Sequence, residues 1–137
     1  RAEAAWRAGL LRGLRRVEDE GVNAMSSLQW FVSPDTTLAG TQAGMAMSYL
    51  LDPARPVLVF SPGSGSVKVS ARGTHAQVAR GLDLAEALRE AARAVGGEGG
   101  GHRIASGATL PPGTEERFRA EVDRRIAAQF ARPEAPA

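Results

Sequence analysis

Residues Gly96-Gly97-Glu98-Gly99-Gly100-Gly101-His102 place five glycines in six positions and end on one of only two histidines in the chain. No other stretch limits the fold as tightly. A glycine standing where an alanine would serve costs roughly 0.5–1 kcal/mol of extra backbone entropy on folding. Five such costs weigh heavily against a total stability of about 5–15 kcal/mol. Bare backbone is therefore expected to come close to something here. Successive unshielded N–H groups make a nest for an oxyanion, phosphate above all. The His102 imidazole that ends the run can donate to such an anion or protonate it. A mobile surface loop is the competing reading. Against it stands the apolar segment Ile104–Leu110, which reads as a strand and would fix the exit of the run.

At 137 residues the chain suits one domain with a real core. Its 43% hydrophobic and 23% charged residues are those of an ordinary globular protein. There is no cysteine, which excludes disulfides, zinc knuckles and thiol catalysis. No segment approaches the ~20 apolar residues of a membrane span, and none resembles a signal peptide, so no membrane partner and a cytoplasmic location are expected. The net charge of +2 is too small for a protein that coats polyanions. Any nucleic-acid contact must come from local placement of charge. Of 17 basic side chains only Lys68 is a lysine. Arginine's planar fork suits phosphate, although a GC-rich or heat-loving source explains the bias equally well. Between Gly21 and Val67 the only charged residues are Asp35, Asp52 and Arg55, which predicts a largely buried segment.

Periodicity predicts a helix over Arg1–Asp19, with Trp6, Leu10, Leu14 and Val17 on one stripe. It has no initiator methionine and no cap, so residues 1–20 are expected to connect from a missing upstream domain. A strand over Ser26–Val32 precedes a small-residue helix, Thr37–Leu51. The continuous apolar run Pro56–Phe60 predicts a strand buried on both faces. The turn Pro62–Gly65 joins it in a hairpin to Ser66–Arg72, where Val67 and Val69 alternate with Lys68 and Ser70. Helices follow over Thr74–Arg80 and Leu84–Val95, then the glycine run and strand Ile104–Leu110. A final helix, capped by Thr114, carries Phe118, Val122, Ile126 and Phe130 on one face. Residues 132–137 form a Pro/Ala-rich tail expected to be disordered. The order predicts an α/β fold: a mixed β-sheet of about four to five strands flanked by helices.

Two familiar phosphate motifs fail on context. A P-loop needs Lys-Ser/Thr directly after its glycines, and a dinucleotide fingerprint runs strand, glycines, helix. Here the order is helix, glycines, strand. The chain instead resembles the DHHA1 domain of DHH-family phosphoesterases. The resemblance is carried by Gly99-Gly100-Gly101-His102, by Ile104-Ala105-Ser106-Gly107-Ala108 and by the upstream strand Lys68-Val69-Ser70-Ala71-Arg72-Gly73. Within that family it is most similar to archaeal RecJ-like, GINS-associated nucleases, through Leu28-Gln29-Trp30-Phe31-Val32, Leu38-Ala39-Gly40-Thr41 and Gly44-Met45-Ala46-Met47. Alanyl-tRNA synthetases carry a similar domain, but a residue other than His102 is expected there.

The resemblance implies a division of labour. Residues 21–131 would be the DHHA1 domain, and an upstream DHH domain would hold Mn2+ or Mg2+. This domain would need no cofactor of its own and would not hydrolyse anything alone. Arg72 would fork the substrate phosphate with help from Ser70. Gly99, Gly100 and Gly101 would offer backbone donors, and His102 would assist catalysis beside the scissile phosphate. The expected ligand is single-stranded DNA or RNA, held for a RecJ-like exonuclease. The alternative is a non-catalytic interaction module of the archaeal replication complex, binding GINS and the replicative helicase.

Individual residues have plainer readings too. Arg72 could be a solvated strand-end arginine, and His75 is expected at the surface. Trp30 reads as core, with base stacking, worth roughly 1–3 kcal/mol, as the minor option. Asp35 and Asp52 each adjoin a proline and read as turn residues. Arg12, Arg15 and Arg16 read as a solvated face of the first helix.

Overall fold

Six strands form one sheet, of which Val67–Arg72 shows the clean alternation of burial that its sequence predicts. In this computed structural model, residues 22–33 and 52–132 are described. The strands are β1 (Asn23–Ala24), β2 (Gln29–Val32), β3 (Val57–Pro62), β4 (Val67–Arg72), β5 (Glu98–Gly101) and β6 (Ala105–Leu110). The helices among these residues are α1 (His75–Ala79), α2 (Leu84–Ala94) and α3 (Glu115–Ala131). The predicted helices Arg1–Asp19 and Thr37–Leu51, Asp35, and the tail beyond Arg132 lie outside the described residues.

The spatial order is β1-β2-β3-β4-β6-β5. Only β2 and β3 run parallel; every other pair is antiparallel. The mixed α/β class is the expected one, but the sheet has six strands rather than four or five. The two additions are β1, a two-residue strand without a hydrophobic pattern, and β5, which occupies the glycine run itself.

β3 is buried on both faces, as its apolar run predicts. Leu58 and Phe60 join Val67, Val69, Ala71, Ala108 and Leu110 beneath α2 and α3. Those helices contribute Leu84, Ala87, Leu88 and Ala91, and Phe118, Val122 and Ile126. Val57, Val59 and Phe31 are buried as well, and strand alternation assigns them to the opposite face. Among the described residues of the charge-poor segment, β3 is buried and β2 partly so, while β1 and the turn at residues 52–54 are exposed. Asp52 takes the turn role expected of it, its Oδ1 accepting from the Ala54 N–H at 2.9 Å.

Phe60 meets Phe118 and Trp30 edge-on, with ring centroids 6.2 and 5.8 Å apart. The Arg119 guanidinium lies 3.9 Å from the Trp30 ring centroid, which closes that face of the indole to a base. Partial burial lowers the Arg119 pKa, opposed by Glu116 and Glu115.

Capping explains the helix starts. Thr74 and Gln77 form a reciprocal capping box at α1, and Asp83 accepts from the Glu86 N–H at α2. Thr114 stands at the N-cap of α3 but does not cap it by its side chain. Its hydroxyl donates instead to the Pro111 carbonyl at 2.7 Å.

Candidate nucleic-acid interface

The glycine run is a helix stop followed by a strand, and its members serve different ends. Gly96, at φ +84°, ends α2 just past the Val95 cap. The Gly97 N–H donates to Ala92 O and that of Gly96 to Arg93 O, the paired closure of a Schellman motif. A Cβ on Gly97 would collide with the Thr109 carbonyl of β6. On Gly99 it would stand 2.8 Å from the Leu88 carbonyl of α2. Gly101, at φ +143°, would meet Ser106 Cα at 2.8 Å. Only Gly100, at φ +156°, has open space where a side chain would be.

The three predicted donors are therefore not a stacked nest. His102 and Ala105 exchange backbone hydrogen bonds of 2.8 and 3.3 Å. Antiparallel alternation from that pair commits the Gly100 N–H to Gly107 across the ladder. The N–H groups of Gly99 and Gly101 then point outward from the sheet's free edge. Gly100 contributes chiefly by its missing side chain.

Cross-strand register assembles the rest. On the face of β4 away from the helices, Ser70 lies opposite Gly107, which in turn lies opposite Gly100. One row along, Arg72 lies opposite Ala105, which pairs with His102. In the other direction Lys68 lies opposite Thr109, which lies opposite Glu98. Because Gly107 and Gly100 bring no side chains, the middle row sinks into a trough. One open hollow of about 580 Å³ is lined by Lys68, Ser70, Glu98, Gly100, Gly107 and Thr109, among others. A second, of about 260 Å³, includes Arg72, Gly101, Ala105 and Ser106 and shares Ser70, Gly100 and Gly107 with the first.

Five of the six predicted site residues, Ser70, Arg72, Gly99, Gly100 and Gly101, thus line one continuous depression. His102 stands at its rim, exposed, in the Arg72 row but outside both linings. Its turn is fixed by the Leu84 N–H, which donates to Arg103 O at 3.0 Å, and by Ser106 Oγ, which donates to His102 O at 2.7 Å. Arg72 is exposed, with no ion pair among the described residues. His75 belongs to neither hollow.

Among the lining residues not predicted as site residues are Lys68, Glu98, Gly107 and Thr109. The period-two pattern could have found Lys68, Gly107 and Thr109, but not Glu98, which sits in the patternless glycine run. Lys68 shares a face with Ser70 and Arg72, and Gly107 and Thr109 alternate with buried Ala108 and Leu110. Among the described residues no three His, Asp or Glu side chains gather in a group able to hold a metal ion. No helix among them is long and apolar enough to cross a membrane.

A six-stranded mixed sheet with helices packed on it and a depression floored by Gly100 and Gly107 on its other face defines an α/β domain. Residues 28–128 match the DHHA1 domain family, and the chain belongs to it. It is similar to an uncharacterized protein of Methanocaldococcus jannaschii, at 38% identity over 89 residues, 65% of this chain and 20% of the relative. Its fold is similar to that of RecJ from Thermus thermophilus in complex with Mn2+, with a TM-score of 0.69 at 21% identity. That likeness covers 91% of this chain and 17% of RecJ. The C-Ala domain of Aquifex aeolicus alanyl-tRNA synthetase also shares the fold, with a TM-score of 0.58 at 12% identity, covering 80% of this chain and 98% of that one. The chain thus spans about a fifth of the length of the archaeal relative and of RecJ.

Proposed function

We propose that this domain grips the phosphate of a single-stranded nucleic acid for a RecJ-like DHH phosphoesterase acting in the cytoplasm. The observation that carries the proposal is the trough floored by Gly107 and Gly100 across the sheet from Ser70, with Arg72 one row along on the same face of β4. A phosphate resting there meets the Arg72 fork, which suits two of its oxygens at once. Ser70 donates one hydroxyl hydrogen bond, and the missing side chains let the ester backbone lie close. His102, at the rim, is placed to donate to or protonate an oxygen of the same group. An upstream DHH domain would hold the Mn2+ or Mg2+ that activates water for hydrolysis.

Fluorescence anisotropy of a short labelled single strand, with the 137-residue chain, tests the grip. Binding that weakens with salt and falls sharply in Arg72→Ala supports it. In the intact parent protein, His102→Ala is expected to cut turnover roughly tenfold or more, with fold and metal content unchanged. Unaltered turnover would make the histidine structural. A module that docks GINS and the replicative helicase is the competing function. Capture of GINS without any oligonucleotide binding would put it in place of the phosphate grip.

A further inference from the structure

The row formed by Lys68, Thr109 and Glu98 is left over once the phosphate is assigned to the Arg72 end. It lines the larger hollow, and its chemistry is of a different kind. Lys68 Nζ donates to Thr109 Oγ1 at 2.9 Å, so the ammonium is tied down over the sheet beside the trough. Directly across from Thr109, Glu98 is exposed and makes no ion pair among the described residues. A carboxylate is an acceptor only. At the edge of an anion site it repels phosphate, but it can accept from a neutral donor such as a hydroxyl. Along the strands this row lies two residues from the Ser70–Gly107–Gly100 row, about 7 Å, and Glu98 stands one strand over from Gly107, about 5 Å, so a phosphate seated over Gly107 lies roughly 8 Å from the Glu98 backbone. The Glu98 side chain reaches back across part of that gap, towards the sugar of the same nucleotide.

We propose that Glu98 accepts a hydrogen bond from a sugar hydroxyl of the nucleotide whose phosphate sits at Ser70 and Arg72, so that the site prefers a ribonucleotide strand to a deoxyribonucleotide strand. The inference rests on the phosphate grip proposed above and names its substrate class. Lys68 and Thr109 position the sugar; the ammonium offers a donor to the ring or hydroxyl oxygens, and the tether to Thr109 fixes where it stands. The 2′-hydroxyl is the one group that distinguishes the two strands at a given site. A carboxylate that accepts from it gains a charge-assisted bond that the deoxy sugar cannot make.

The test compares short labelled oligouridylate with oligodeoxyuridylate, which differ only at that hydroxyl. The wild-type chain is expected to bind the ribo strand about tenfold more tightly, the worth of one such bond. Glu98→Ala is expected to bring the two affinities together, chiefly by weakening the ribo strand. Circular dichroism and thermal unfolding of the exposed-site variant check that the fold is kept. Equal wild-type affinities, or a preference that survives Glu98→Ala, overturn the proposal while Arg72-dependent binding of both strands leaves the phosphate grip standing. Failure of both strands to bind, with Arg72→Ala no different from wild type, overturns the grip and this inference together.

Discussion

Single residues show how one composition can hide several causes. The glycine run stands out in the sequence as a costly feature, from which an anion-binding purpose is expected. Four of its five members answer to other demands: a helix stop at Gly96, contact with β6 at Gly97 and Gly101, and contact with α2 at Gly99. The helix stop at Gly96 is a local signal, but the close approaches at Gly97 and Gly99 come from β6 and α2, more than ten residues away, and no local pattern announces them. The same substitution should therefore have opposite outcomes at different glycines. Gly99→Ala forces a methyl against the Leu88 carbonyl and the Ala108 side chain, where neither backbone can give way. Urea unfolding should show a loss of about 2–3 kcal/mol, in the range of overpacked cores. Gly65, in the β3–β4 turn, has nothing within 4 Å of the place a methyl would take and no left-handed backbone angle. Gly65→Ala should leave stability unchanged or raise it by up to about 1 kcal/mol, through loss of freedom in the unfolded chain.

Elements that carry a clean period were legible in the sequence, and those defined by their partners were not. α3 follows from Phe118, Val122 and Ile126, all fully buried. β4 follows from its strict alternation. β5 was not legible, because glycine carries no pattern and only β6 makes it a strand. Polar anchoring between helices was equally invisible. Gln129, 1% exposed on α3, accepts from the Asp83 N–H at 2.8 Å and donates to Asp83 O at 2.9 Å. It thus clamps the start of α2, whose Leu84 N–H holds the His102 turn through Arg103 O. Gln129→Leu should cost about 2–3 kcal/mol in urea unfolding, because two buried backbone groups lose their partner. Farther along α3, Glu121 has its pKa lowered, first by a hydrogen bond from Arg124, with Arg125 adding to it. A carboxylate depressed in the folded state stabilises above its unfolded pKa, and that contribution is lost as pH falls through the folded one. Stability measured across the acid range should therefore fall less steeply in Glu121→Gln than in the wild type. The effect should be small, since the pair is exposed to solvent.

At the scale of the whole molecule, charge and shape set how tightly a nucleic acid can be held. A net charge of +2 offers little general attraction to a polyanion. The trough provides two cations, Arg72 and Lys68, on one strand face and four residues apart. Only Arg72 is assigned to phosphate, so the proposed binding would be a local grip on one phosphate, with specificity coming from what the trough excludes and accepts. This sets a quantitative expectation. Single-strand binding loses about 0.7 in the slope of log affinity against log salt for each phosphate neutralised. The one guanidinium assigned to phosphate predicts a slope of about −0.7 for the wild-type chain, and Arg72→Ala should bring it towards zero. The measurement is a salt titration of anisotropy with the same labelled strand for both proteins. A much steeper slope, unaffected by Arg72→Ala, would mean that the arginines of the outer surface hold the strand and the trough does not.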